Sequence, residues 1–155
     1  MKPIKMLVMD VDGTLTDGHI HIGENGEMMK TFHVRDGYAI VHILPDYGIV
    51  PVIITGRKSK IVEQRAKELK ITHLHQGISD KLAKLKEIAQ ALNATADEIA
   101  YIGDDVNDLT CIQFCKYTAC PADADPTILP QVNYVCTCAG GHGAVREFVH
   151  YLLND

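Results

Sequence analysis

Apolar runs of strand length, each stopping abruptly at a polar cluster and each followed by a segment of helical period, constrain this chain most. The first run, Ile4 to Met9, meets Asp10-Val11-Asp12-Gly13-Thr14. Ile49–Thr55 runs into Gly56-Arg57, and Ile99–Ile102 runs into Gly103-Asp104-Asp105-Val106-Asn107-Asp108. Between them, Asp36–Tyr47 reads as a helix with Ala39, Ile40, Ile43 and Leu44 on one stripe. Lys58–Leu69 and Ser79–Leu92 read the same way, the latter on Leu82, Leu85, Ile88, Ala89 and Leu92. Short strands at His73–His75, Tyr117–Cys120 and Asn133–Val135, with helices at Asp105–Phe114 and Gly143–Leu153, complete the pattern. Strands alternating with helices of this length predict an α/β three-layer sandwich, a mostly parallel sheet with helices on both faces.

A chain of 155 residues fits one domain, 1–155. The formal net charge is −5 and no basic block stands out, so nucleic acid is not an expected partner. No apolar stretch approaches the ~18 residues of a membrane span, and the first residues lead straight into a strand with no apolar leader. A cytoplasmic protein is expected. The five cysteines, Cys111, Cys115, Cys120, Cys136 and Cys138, are odd in number and lack C-x-x-C spacing. They read as small buried residues of a reducing compartment rather than as a disulfide framework or zinc knuckle.

After the first strand comes an expected hairpin insertion, about 17–34. Its strands are Gly18–Ile22 and Glu27–Val34, turning at Asn25-Gly26. A two-residue turn there sets Ile22 opposite Met29 and Ile20 opposite Thr31. His21, Lys30, His19 and Phe32 fall on the other face. Apolar groups on both faces are too many for a ribbon alone in water, so it should pack on something, with another subunit the natural candidate.

The strand ends carry the chemistry. Asp10 and Asp12 alternate along extended backbone onto one side. Such crowding is costly unless a cation lies between them, or one carboxylate attacks while the other handles protons. An Asp-rich turn capping a helix is the plainer alternative. Thr55-Gly56 offers a hydroxyl and free N–H groups to an oxyanion. Lys58 and Lys60 stand in the first turn of the following helix, and Lys81 at the start of the next, where the macrodipole disfavours cations. Solvated lysines are the alternative there. Asp104, Asp105 and Asp108 are hard oxygen ligands that favour Mg²⁺ over zinc, or else helix N-terminal acids. In a parallel sheet these strand ends share one edge, so all four elements can converge.

In this order, DxDGT, Thr-Gly, Lys and GDDxxD resemble the haloacid dehalogenase superfamily of phosphohydrolases, whose fold is Rossmann-like. Val34-Arg35-Asp36-Gly37, Gln76-Gly77, Asp80-Lys81-Leu82, Pro121-Ala122-Asp123-Ala124 and Gly140-Gly141-His142-Gly143 extend the likeness over nearly the whole chain. They resemble the capless group that hydrolyses 3-deoxy-D-manno-octulosonate 8-phosphate and related nonulosonate 9-phosphates. The resemblance implies a Mg²⁺-dependent phosphatase with Asp10 as nucleophile and Asp12 as acid and base. It implies Mg²⁺ on Asp10, the Asp12 carbonyl and Asp104, phosphoryl oxygens on Thr55 and Lys81, and Asp105 and Asp108 as orienting groups. Gly56, Arg57, Lys60 and Arg65 would meet the sugar acid, Arg57 pairing with its carboxylate. A homotetramer built through the hairpins would close each site.

Arg57 favours the eight-carbon substrate. The end at Leu153-Asn154-Asp155 lacks the tail that many octulosonate enzymes fold over the site. A nonulosonate 9-phosphate phosphatase, a broad-range sugar phosphatase and a silent tetramerising module are the competing readings. The Gly140–Gly143 loop reads equally as a phosphate contact or as a tight turn before the last helix.

Overall fold

The computed structural model describes residues 3–154; Met1, Lys2 and Asp155, part of the expected 1–155 unit, lie outside the described residues. Six strands form the main sheet in the order β5-β4-β1-β6-β7-β8, all neighbouring pairs parallel. They are β1 (Met6–Met9), β4 (Val50–Ile54), β5 (His73–His75), β6 (Ile99–Ile102), β7 (Tyr117–Cys120) and β8 (Tyr134–Val135). β1 and β6 are buried along their whole length, as continuous apolar runs in a doubly covered parallel sheet should be.

Alternate side chains divide between two cores. Leu7, Met9, Ile53 and Ile102 pack with α6 (Ala144–Asn154) and with the helical segment that opens at α1 (Val34–Tyr38). Met6, Val8, Ile54 and Tyr101 pack with α4 (Lys81–Ala91) and α5 (Leu109–Phe114). The arrangement is the expected three-layer, Rossmann-like α/β sandwich with a mostly parallel sheet. Cys111, Cys115, Cys120 and Cys136 fill core positions, and all five cysteines are free thiols. No helix among the described residues is long and apolar enough to cross a membrane.

Three local expectations need correction. The helix expected over 36–47 begins earlier, at Val34, where the His33 ring accepts a hydrogen bond from the Arg35 N–H (3.1 Å). It then widens into a π turn, Ala39–Ile43, before α2 (Leu44–Asp46). Pro45 has no N–H to donate, and its ring crowds the carbonyl four residues back, which is the physical reason for the widening. The helix expected from Asp105 is split into a 3₁₀ turn, Val106–Asp108, and α5.

The hairpin is shorter and its register differs. β2 (His21–Gly23) and β3 (Gly26–Met29) pair His21 with Met29, Ile22 with Glu27 and Gly23 with Gly26, with an irregularity between His21 and Ile22. The turn residues are therefore Glu24-Asn25. Gly26, at φ +106°, opens the returning strand, so Ile22 faces Glu27 instead of Met29, and the irregularity then brings His21 opposite Met29. Ile22, Met28 and Met29 remain exposed on this ribbon.

Candidate active site

β1, β4 and β6 end side by side, and their carboxyl ends open onto a cleft. Asp10, Asp12, Thr55, Gly56, Arg57, Asp104, Asp105 and Asn107 line it. The chain can bring Asp104 this close to the first loop because residue 13 is glycine. A Cβ there, at φ +90°, would lie 2.0 Å from Asp104 Oδ2. The Thr14 hydroxyl donates to Asp104 Oδ1 at 3.3 Å, fixing the carboxylate across the cleft.

Lys81 is the buried cation beneath these acids. Asp80 caps α4 by accepting from the Ala83 N–H (3.0 Å), which sets Lys81 at the first helical position. Its ammonium donates to Asp10 Oδ1 and to Asp108 Oδ1, both at 2.9 Å. Burial alone would lower the Lys81 pKa, but the two carboxylates outweigh it and push the ammonium above its ordinary value. A lysine at a helix start, unfavourable by the macrodipole, is thus held by two anions.

Asp108 is saturated. Its Oδ1 also accepts from the Tyr101 hydroxyl (2.5 Å), and its Oδ2 accepts from the N–H groups of Asp104 (3.0 Å) and Asp105 (3.2 Å). It ties the β6 loop to Lys81. Asp10 and Asp104 are different. Burial, then the neighbouring Asp10, raises Asp104 to about 9, and burial with Asp108 raises Asp10 despite Lys81. Ligand oxygens of Asp10, Asp104 and Asp108 lie within 4.8 Å of one another. Crowded acids whose charged forms are this disfavoured fit a divalent cation, and an all-oxygen donor set suits Mg²⁺. With both Asp108 oxygens engaged, Asp10 and Asp104 are the carboxylates free to meet it.

Arg57 lies at the cleft mouth, its Nε 4.0 Å from Asp12 Oδ2 and its Nη2 3.6 Å from Glu27 Oε2. Two residues expected at the sugar are not brought there. Lys60 is exposed in the first turn of α3 (Lys60–Glu68) and does not line the cleft. Arg65 lies over the Phe32 ring (5.4 Å) and pairs with Glu68 (3.4 Å), beside Val11, Leu15 and Leu69. The Gly140–Gly143 loop packs on the first one: the Gly141 N–H donates to the Thr14 carbonyl (3.1 Å), and a Cβ at Gly140 would lie 1.9 Å from the Gly13 carbonyl oxygen.

The structure also brings in residues that sequence reasoning missed. Lys30, from the loop after β3, is buried and donates to Asp12 Oδ1 at 2.5 Å. Glu27 pairs with Lys30 (3.3 Å) and accepts from Ser59, the cap of α3. Tyr101 joins the site as well, and Asn107 of the Gly103–Asp108 cluster lines the cleft as that cluster implied. The one signal for Lys30 and Glu27 was their closeness in sequence to Asp12.

The model of the haloacid dehalogenase-like hydrolase family matches residues 74–148. The 3-deoxy-D-manno-octulosonate 8-phosphate phosphatase of Escherichia coli K12 is 45% identical over 150 residues, 97% of this chain and 79% of that protein. The crystal structure of the phosphatase of that name from Yersinia pestis superposes with a TM-score of 0.94 at 44% identity, covering 97% of this chain and 81% of the other. The Moraxella catarrhalis phosphatase, crystallised with a magnesium ion, a phosphate ion and a 3-deoxy-D-manno-octulosonate (KDO) molecule, superposes with a TM-score of 0.93 at 39% identity. That match covers 97% of this chain and 86% of the other. A strand-end cleft of this composition, on a chain this similar over nearly all its length, places the protein among the haloacid dehalogenase-like hydrolases, in the family of 3-deoxy-D-manno-octulosonate 8-phosphate phosphatases.

Proposed function

We propose that this protein is a Mg²⁺-dependent phosphomonoesterase that hydrolyses 3-deoxy-D-manno-octulosonate 8-phosphate. The observation that carries the reading is Asp10, buried at the end of β1, bonded to Lys81 and open to the cleft beside Asp104. An Asp10 carboxylate oxygen bonds to phosphorus while the phosphate-ester P–O bond breaks. The released electron pair stays on the sugar oxygen, which takes a proton from Asp12. In the second half, water attacks phosphorus, gives a proton to the Asp12 carboxylate and displaces Asp10, releasing inorganic phosphate. The Thr55 hydroxyl and Lys81 hold phosphoryl oxygens. Asp10, the Asp12 carbonyl and Asp104 would hold Mg²⁺, which offsets the charge of an anionic nucleophile meeting an anionic ester. Asp105 and Asp108 orient the loop and Lys81.

Arg57, with Gly56, recognises the sugar carboxylate, giving up its contacts to Asp12 and Glu27 for a bidentate pair. A kinetic panel of eight- and nine-carbon sugar-acid phosphates and simple sugar phosphates, with and without Mg²⁺, tests the assignment. The highest kcat/KM is expected for the eight-carbon substrate. A preference for a nine-carbon ester would move the protein to the nonulosonate phosphatases, and no turnover of any ester would overturn the reading.

We also propose that the chain is one domain, 1–155, with the 17–34 segment as an insertion, and that four copies associate through that ribbon. The exposure of Ile22, Met28 and Met29 supports association. A monomer by light scattering with full activity would refute it, and two separate unfolding transitions would refute the single domain. Five free thiols support a cytoplasmic location, which subcellular fractionation checks.

A further inference from the structure

Lys30 is a buried lysine outside the main sheet. Its side chain is 1% exposed, against 20% for the Asp12 side chain it meets. Burying a strongly hydrated ammonium costs several kcal/mol unless anions surround it. Two do: Asp12 Oδ1 at 2.5 Å and Glu27 Oε2 at 3.3 Å. Glu27 is itself anchored, since it accepts from the Ser59 hydroxyl at the start of α3, directly after Thr55-Gly56-Arg57. Asp12 is therefore gripped from the ribbon side, and the grip is tied to a rigid helix. Lys30 does not line the cleft, so it reaches the substrate only through Asp12.

From this geometry we infer that Lys30 is a positioning residue for Asp12: it occupies Oδ1, so Oδ2 is the oxygen presented to the departing sugar alcohol. Oδ2 faces the cleft mouth, 4.0 Å from Arg57 Nε. The inference rests on the phosphatase reading and adds which oxygen of Asp12 passes the proton and what aims it. Without Lys30 the Asp12 carboxyl is free to rotate, and the alkoxide leaves without its proton donor in place. A leaving group that departs as a stable anion does not need that proton.

Single-turnover release of the leaving group, with enzyme in excess, tests this on the full-length protein with Mg²⁺. The two substrates are 3-deoxy-D-manno-octulosonate 8-phosphate and p-nitrophenyl phosphate. Lys30→Met should slow release of the sugar roughly 10- to 100-fold, the range for losing a positioned proton donor. It should leave release of p-nitrophenolate within about threefold of wild type, and KM for the sugar phosphate little changed. Lys30→Arg, which keeps a cation beside Asp12, should recover most of the rate. Glu27→Gln should give a smaller loss with the same leaving-group dependence, and it carries the comparison if Lys30→Met does not fold. Equal losses on both substrates, no loss on either, or a change confined to KM would overturn the positioning role while leaving the phosphatase reading intact. A wild-type enzyme inert toward both esters would instead sink the phosphatase reading, and this inference with it.

Discussion

At the carboxyl ends of β1 and β6, the buried side chains are held by groups of the same chain. Lys81 bridges Asp10 and Asp108, Asp108 accepts from Tyr101 and two backbone N–H groups, and Thr14 fixes Asp104. The β2–β3 ribbon, a short way along the chain, is built the other way. It has two short strands and an irregular register, leaves Ile22, Met28 and Met29 in the open, and fastens to the body through Lys30–Asp12 and Glu27–Ser59. The cleft is preorganised by its own sheet, whereas the ribbon leaves its apolar side chains open. The less self-sufficient element thus holds Asp12, the proposed proton donor.

The sharpest way to break this contrast is at Asp10, the proposed nucleophile. Asp10→Asn should cut turnover by at least ~10⁴-fold, as loss of a nucleophile does elsewhere, with an unchanged circular dichroism spectrum. Residual phosphatase activity in that variant would remove the covalent route. Lys81→Met should cost about 10²- to 10³-fold in kcat. It should also cost about 3 kcal/mol in urea unfolding, because two buried carboxylates lose their shared cation. Wild-type stability there would show the cleft to be less internally ordered than its contacts suggest.

Metal removal separates the regions by pH. In the metal-free protein, burial and then Asp10 lift Asp104 from 3.8 to about 9. A carboxyl raised in the folded state stabilises it fully below its unfolded value and loses that contribution as pH climbs through the folded one. Metal-free stability should therefore fall between about pH 4 and about pH 9, and the rise in Tm on adding Mg²⁺ over EDTA should grow across that window. A pH-independent increment would contradict the crowded-acid account.

Met28→Glu probes the ribbon instead. It should lower the mass seen by light scattering and reduce kcat/KM roughly tenfold by loosening the far side of the cleft. Unchanged mass and activity would mean the ribbon needs no companion.

Glu147, whose hydrogen-bond partners Tyr134, Thr137 and Cys138 belong to neither region, provides a control. Burial alone would raise it, but the Thr137 and Cys138 N–H groups and the Tyr134 hydroxyl outweigh that and hold the carboxyl at about 2. Glu147→Gln should cost about 1–2 kcal/mol at neutral pH and leave kcat alone. The gap should close as pH falls from 4.5 toward about 2, since a depressed carboxylate stabilises only while ionised.

Asp10, Asp12, Thr55, Lys81 and Asp104 were readable as site candidates because each follows an apolar run or opens a helix, and a parallel sheet aligns such ends. Arg65 was not. Five residues beyond Lys60 is about 140° around a helix, so the two cannot share a side, and Arg65 turned toward Phe32 and Glu68. Lys30 was hidden for a different reason. Turning at Glu24-Asn25 instead of Asn25-Gly26 moves Ile22 from Met29 to Glu27 and keeps the faces, and the irregularity at His21 adds the slip that exchanges them; both depend on where Glu27 can find Ser59 and Lys30 can find Asp12. Tertiary partners settle such a register, and local pattern does not. The π turn before Pro45 is a similar case, where one imino acid in an otherwise helical stripe shifted the geometry without shifting the buried face.

Gly140 packs against Gly13 and Gly141 against Thr16 and Asp17, close enough that no side chain fits between this loop and the first one. That backing comes from residues far downstream of Asp10 and Asp12 in the sequence. Bulk at residue 140 would therefore displace the turn at Gly13, and with it the close approach of Asp104 to the first loop.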